Sequence, residues 1–171
     1  MLLETDRTYL RKINEQDIAF IINLMNSPSW LHFIGDRKID SEENALRYIK
    51  DKLIKSYQTH GYGFYVVCIK ENDEPLGISG FVLRDYLDHP DVGFAILPKH
   101  EGKGYMKEAT LALLKYAYEH LRFSTLYAIT TNDNKRSIAL LQKIGLTFEK
   151  MVKPPKENRE FMLFINNKPA Q

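Results

Sequence analysis

The sequence predicts one α+β domain, a mixed and mostly antiparallel sheet flanked by helices, spanning residues 1–171. Three observations carry that expectation. The periodic segments run β-α-α-β-β-β-α-β-α-β, and three hairpin-linked strands precede the first βα crossover, which excludes a doubly wound parallel sheet. The chain has 171 residues and is 44% hydrophobic, enough for one substantial core. It also contains no internal repeat, low-complexity segment or Ser/Gly linker at which a second domain would begin.

Each element has a local reason. Leu2 to Ile13 alternates around Arg7, Tyr9 and Arg11, the period of a strand. Asn14 is an N-cap, with Asp17 three residues later and apolar residues at Ile18, Ile21, Ile22 and Met25. Ser27-Pro28 ends that helix, because a residue before proline disfavours helical backbone. Asp40 or Ser41 caps a second helix whose apolar face is Ala45, Leu46, Ile49, Leu53 and Tyr57. Gly61 and Gly63 break it and lead into Phe64 to Ile69, a strand by β-branched and aromatic content. The turn Asn72-Asp73-Glu74-Pro75 joins it to a strand from Leu76 to Leu83, and Asp88-His89-Pro90 precedes another from Asp91 to Leu97. Lys107 to Leu121 has a helical face at Leu111, Leu114, Tyr118 and Leu121. Phe123 to Thr130 is a strand, and a short helix from Asn134 to Ile144 is stopped by Gly145. Alternation returns from Glu160 to Ile165, ahead of a polar tail.

Composition narrows the function classes. The net charge is +2, with 24 basic and 22 acidic residues scattered along the chain. No basic stripe with interleaved aromatics supports a nucleic-acid partner. The single cysteine, Cys68, cannot form an internal disulfide, which fits a reducing compartment. The opening MLLETDRTYLRK carries acids where a signal peptide needs a basic start, and no apolar run approaches the roughly 20 residues of a membrane span. A cytoplasmic protein with no membrane partner is expected. No His/Cys/Asp cluster has metal-ligand spacing.

The stretch LPKHEGKGYMKEA, Leu97 to Ala109, places Gly102-Lys103-Gly104 between an apolar strand and a helix. The Walker pattern fails twice, since residue 97 is Leu and residue 104 is Gly. The dinucleotide fingerprint fails once, at Lys107, and lacks the preceding βαβ unit. A tight turn with a solvated lysine is the plain alternative. The physics nevertheless suits an anion: glycines leave amides unobstructed, and the helix starting near Tyr105 directs its orphan donors and positive dipole end to the same place.

A second constellation lies downstream: Asn134-Lys135-Arg136-Ser137 opens the short helix, followed by Leu140 through Phe148. Together with Leu97-Pro98, Gly102-Lys103-Gly104-Tyr105, Pro75-Leu76-Gly77-Ile78-Ser79-Gly80 and the opening Glu4 to Arg11 with Asp17, it strongly resembles the GCN5-related N-acetyltransferase (GNAT) superfamily. The most similar branch contains the ribosomal-protein N-terminal acetyltransferases. The resemblance covers essentially the whole chain. The family's Q/R-x-x-G-x-G/A motif falls on Glu101 to Met106, so an acid replaces Gln or Arg and Met replaces the final small residue. Amides do not depend on side-chain identity, and Glu101 is expected to point outward.

The resemblance implies a sheet splayed at the acetyl-coenzyme A strand and direct attack of a primary amine on the thioester. The pyrophosphate would bind the amides of Gly102, Lys103, Gly104, Tyr105 and Met106, with pantetheine pairing along Ile96 and Leu97. Many family members use a Tyr as acid where this chain has Leu141. The branch instead places a serine at Ser137, near the thiol, and Asn134 against the cofactor; both residue types are also ordinary helix caps. For the base, Asp91 stands where relatives often carry an acidic residue, though it also follows a turn; Glu157 is a weaker carboxylate, and His89 and His100 read as exposed bystanders. Trp30, Phe33 and Ile34 correspond to the acceptor-pocket segment, joined by Tyr86, although such aromatics are equally core residues. Cys68 reads as packing. The acceptor would be a protein N-terminus or a small-molecule amine, and relatives are often homodimers. The alternative is a non-catalytic acyl-CoA-binding module of the same fold.

Overall fold

The computed structural model describes residues 1–167. Among them, β1 (Leu3–Glu4), β2 (Thr8–Lys12), β3 (Phe64–Ile69), β4 (Pro75–Val82), β5 (Asp91–Ile96), β6 (Thr125–Thr130), β7 (Thr147–Val152) and β8 (Phe161–Asn167) form one sheet. Its order is β1-β2-β3-β4-β5-β6-β8-β7. Every neighbouring pair is antiparallel except β5 and β6, which are parallel. Helices α1 (Ile18–Met25), α2 (Pro28–Phe33), α3 (Glu42–Tyr48), α4 (Lys55–His60), α5 (Tyr105–Glu119) and α6 (Lys135–Lys143) flank it. The expected α+β class and mixed sheet are therefore observed.

The faces of the sheet explain the burial. Along β3, Tyr65, Val67 and Ile69 enter one apolar cluster and Val66 and Cys68 enter another. The first cluster holds Met106, Ala109, Leu113, Leu114 and Ala117 of α5 and Leu141 of α6. The second holds Ile21, Leu24 and Met25 of α1, Trp30 of α2 and Ala45 of α3. A strand covered on both faces reads as a continuous apolar run, which is what Phe64 to Ile69 does. Cys68 is fully buried and burial pushes its thiol up, consistent with packing rather than reactivity.

Local chemistry matches the expected boundaries at several ends. Asn14 and Asp17 form a capping box: the Asn14 side chain accepts from the Gln16 amide, and the Asp17 carboxylate accepts from the Asn14 amide at 2.9 Å. Ser41, not Asp40, caps α3 through the Asn44 amide. Gly61 and Gly145 end α4 and α6 with φ of 78° and 93°.

Three expectations change. Leu2 to Ile13 is a hairpin rather than one strand, because Thr5 and Thr8 close a turn in which the Thr5 amide donates to the Thr8 carbonyl at 2.8 Å. Ser27-Pro28 starts α2 rather than only ending α1, since proline at the first helical position removes an amide that has no partner anyway. β7 was not expected, because TFEKMV lies at the sheet edge with residues 147–151 exposed on both faces and so carries no alternation. The second helix runs through a π-helical segment, Ile49–Ile54, between α3 and α4. The final strand extends to Asn167; residues 168–171 of the polar tail lie outside the described residues. No helix among the described residues is long and apolar enough to cross a membrane.

Two glycines in β4 let neighbouring backbones close on it. A Cβ on Gly80 would lie 2.2 Å from the Gly63 carbonyl oxygen and 2.4 Å from Phe64 Cα. Gly80→Ala should therefore destabilise the fold by about 3 kcal/mol or more, by overpacking against backbone that cannot yield. Gly61→Ala meets no atom within 4 Å and carries only its left-handed strain, about 1 kcal/mol. Urea denaturation of both variants measures the difference, and equal losses would contradict the assigned register.

Candidate active site

The site begins with a failure of pairing. β4 and β5 pair along their length, from Gly77 opposite Ile96 to Val82 opposite Asp91. β5 and β6 pair at a single position, Asp91 opposite Tyr127, closed by the Tyr127 amide donating to the Pro90 carbonyl at 2.9 Å. Beyond it the two strands diverge. Alternation decides which backbone groups are exposed by the split. Pro90 faces β6, so Val92, Phe94 and Ile96 direct their amides and carbonyls into the gap. Leu97 faces the other way: its amide donates to the Leu76 carbonyl at 2.8 Å, and its carbonyl accepts from His100 at 3.0 Å. Leu97 thus departs from the expected two-residue track, because the chain already turns there into the 3-10 segment Pro98–His100. Gly93 to Ile96 are only half-buried although they lie mid-sheet.

The glycine turn sits at the end of this open edge. Gly102 and Gly104 have φ of 74° and 82°, and Gly104 is the N-cap of α5 with no side chain capping it. Among the described residues, none accepts a hydrogen bond from the amides of residues 102 to 106. These orphan donors and the dipole of a 15-residue helix converge on one exposed turn. Nothing lies within 4 Å of a Cβ built on Gly102. The donor set fits a phosphate or pyrophosphate group.

The two departures from the motif find physical accommodation. Glu101 forms an ion pair with Arg136 at the start of α6, so its carboxylate is neutralised by that guanidinium. Met106 is buried, and its Cε lies 2.9 Å from where a Cβ on Gly77 would stand, so the missing side chain in β4 makes room for the larger one. Tyr105 is half-buried beneath the Arg7 guanidinium, 4.7 Å from its ring centroid. Lys103 is exposed.

At α6, the Asn134 side-chain oxygen accepts from the Ser137 amide at 3.1 Å, so the capping interaction is present. Its amide nitrogen is the group left to donate. Ser137 is half-buried, and Leu141 is core packing at 1% exposure.

Asp91 occupies the closed end of the split. It is 2% exposed and ion-paired with Arg84 Nε. Burial pushes its carboxyl above the ordinary range despite that cation. Tyr86 lies in the same group of charges, and burial raises its hydroxyl too. Trp30 is 6% exposed in the core, with Nε1 lacking a partner among the described residues; Phe33 is half-buried. α2, which carries both, is tied to two loops: Arg159 donates to the Phe33 carbonyl at 3.0 Å, and His32 Nε2 lies 3.2 Å from Asp133. Glu157 is exposed in the loop between β7 and β8. His100 is buried, not a bystander on the surface: Nε2 lies 3.3 Å from Glu74, fastening the start of the glycine turn to the β3–β4 hairpin. His89 packs edge-on against Tyr127. Among the described residues, no group of three or more His, Cys, Asp or Glu could hold a metal ion. Sequence reasoning missed Arg84, Arg159 and Arg7, which act through partners set by the fold rather than by any local motif.

Residues 7–147 match the family described as "Acetyltransferase (GNAT) domain". A Bacillus subtilis (strain 168) protein named as an uncharacterized N-acetyltransferase, YoaA, is 27% identical over 149 residues, covering 86% of this chain and 84% of that protein. The acetyltransferase PseH of Campylobacter jejuni is 27% identical over 136 residues, 80% of each chain. Among solved structures, RimL, a ribosomal L7/L12 α-N-protein acetyltransferase in complex with coenzyme A, superposes with a TM-score of 0.84 at 17% identity over 99% of both chains. An acetyltransferase from Agrobacterium tumefaciens gives 0.81 at 23% identity, covering 97% of this chain and 94% of that one. Both structures share the fold. The matched family spans most of the chain, and the chain belongs to the GNAT acetyltransferases.

Proposed function

We propose that the chain is an enzyme that transfers the acetyl group of acetyl-coenzyme A to a primary amine, a protein N-terminus or a small-molecule amine, in the cytoplasm. One observation carries the reading. The orphan amides of residues 102 to 106 and the unpaired edge of β5 are contiguous, which gives a pyrophosphate and an extended amide-bearing arm adjoining sites. The relatives named as N-acetyltransferases and the coenzyme A complex of RimL support it.

In this reading the pantetheine arm pairs with the amides and carbonyls of Phe94 and Ile96, and the Asn134 amide group holds it from the facing helix. The amine nitrogen attacks the thioester carbonyl carbon, the C–S bond breaks, and the thiolate leaves. A strand-edge amide that faces the gap donates to the carbonyl oxygen as it gains charge. Asp91 takes the proton from the attacking amine, its burial having raised its proton affinity. Ser137 supplies a proton to the thiolate, an undemanding step because a free thiol has a pKa of about 8.5. Trp30, Phe33 and Tyr86 shape the acceptor side, where α2 is held by the loops that carry Arg159 and Asp133.

Thiol release measured with acetyl-coenzyme A against an amine panel tests the activity. Stabilisation by coenzyme A without thiol release from any amine would favour the acyl-CoA-binding module; no stabilisation by any coenzyme A species would overturn both readings. Gly104→Val should abolish cofactor binding in calorimetry while the chain stays folded, because a side chain there is strained at φ 82°, by about 1–3 kcal/mol, and its Cβ would press on Arg7 Nη2 at 3.4 Å, so the turn must shift its amides. Retained binding would contradict the loop assignment. Asp91→Asn should lower kcat roughly 100-fold or more with little change in the affinity for acetyl-coenzyme A, and Ser137→Ala should lower it less. A lower melting temperature with unchanged kcat for Asp91→Asn would make that residue structural.

A further inference from the structure

The glycine turn is gripped from behind by the N-terminal hairpin. Arg7, in the turn between β1 and β2, donates from Nη1 to the Lys103 carbonyl at 3.1 Å. Its Nε donates to Glu108 Oε2 at 2.8 Å, and its own backbone amide donates to Glu108 Oε1 at 2.8 Å. Thr5 donates its hydroxyl to the same carboxylate. The guanidinium lies over the Tyr105 ring, and Nη2 stands 3.4 Å from a Cβ built on Gly104. One side chain thus touches residue 103, residue 105 and the first turn of α5, from a position 96 residues upstream of Lys103.

The geometry of the peptide group gives these contacts a consequence. No peptide bond among the described residues is cis, and in a trans peptide the carbonyl and the following amide point in opposite directions. Arg7 holds the Lys103 carbonyl toward the hairpin. The Gly104 amide therefore points away from it, to the open side of the turn. Two flanking glycines with left-handed φ leave this peptide few other restraints. Glu108 neutralises the guanidinium and fixes its plane, so what the loop gains from Arg7 is orientation rather than net charge.

We propose that Arg7 is a positioning residue for pyrophosphate binding: it locks the Lys103–Gly104 peptide so that the Gly104 amide donates to the anion. The N-terminal hairpin then sets the affinity of the loop through the orientation of this one peptide. The inference rests on reading the turn as the coenzyme A pyrophosphate site. A purely structural role predicts a different outcome, because an ion pair whose arginine is 50% exposed contributes little to stability.

The test compares acetyl-coenzyme A with S-acetylpantetheine, which lacks the pyrophosphate. Arg7→Met keeps an apolar stem over Tyr105 but removes the grip. It should raise KM and Kd for acetyl-coenzyme A roughly tenfold, the effect of losing one well-oriented hydrogen bond to a charged group. kcat, the melting temperature and kcat/KM for S-acetylpantetheine should stay unchanged. Arg7→Lys, which cannot hold Glu108 and the Lys103 carbonyl in one fork, should be weakened as well. Unchanged affinity for acetyl-coenzyme A in Arg7→Met, equal losses for both acetyl donors, or full rescue by lysine would each overturn the proposal. A wild-type chain that binds no coenzyme A would instead overturn the reading of the loop.

Discussion

The rest of the site depends on one constraint: β5 and β6 pair at Asp91 and Tyr127 and nowhere further along. A central parallel pair normally satisfies every backbone group between its strands. Here the strands part after one position, and the groups of Phe94 and Ile96 are left facing a gap in the middle of the sheet. An open strand edge pairs readily with a further extended chain, so the split suits an occupant with amides and carbonyls of its own. The position of the loop follows from the same divergence. β5 keeps its course beside β4 and carries Gly102 and Gly104 to the mouth of the gap, while β6 leads away to Asn134 and α6.

A split sheet needs both of its edges held. On one side β5 is fixed by continuous pairing with β4, and Gly77 and Gly80 let the backbones of β3 and β5 approach it closely. On the other, β6 is held by six paired positions with β8. Asp91 and Arg84 pin the closed end, and Glu101 pairs with Arg136 at the start of α6. Apolar clusters on both faces make the two halves one body, with α5 beneath the loop and α1 to α3 over the other face. The glycine turn and the short α2 are thereby mounted on well-packed neighbours.

Much of this was legible in the sequence because the signals were local. The capping pair Asn14 and Asp17, the stop at Gly145, and the apolar runs of β3 and α5 each depend on residues within one or two turns of chain. The glycine turn and the Asn134–Ser137 cap were likewise visible as short motifs. What was not legible depends on distance or on exposure. β7 is an edge strand with both faces in solvent, so it lacks the alternation that marks a half-buried strand. α2 is a single six-residue helix whose proline start reads equally as a stop. Arg7 meets Glu108 across 101 residues and Arg159 meets Phe33 across 126, separations no local pattern encodes. The orientation of Leu97 away from the gap depends on strand parity, which a one-residue change in register would invert.

The central claim is that the open edge of β5 and the turn after it form one continuous binding surface for coenzyme A. Residue-resolved amide hydrogen exchange, with and without saturating coenzyme A, measures that surface directly. The account predicts new protection at Phe94, Ile96 and residues 102 to 106, with Leu97 unchanged because its amide is already bonded to Leu76. Protection confined to other segments, or its absence at both the strand edge and the glycine turn, would contradict it.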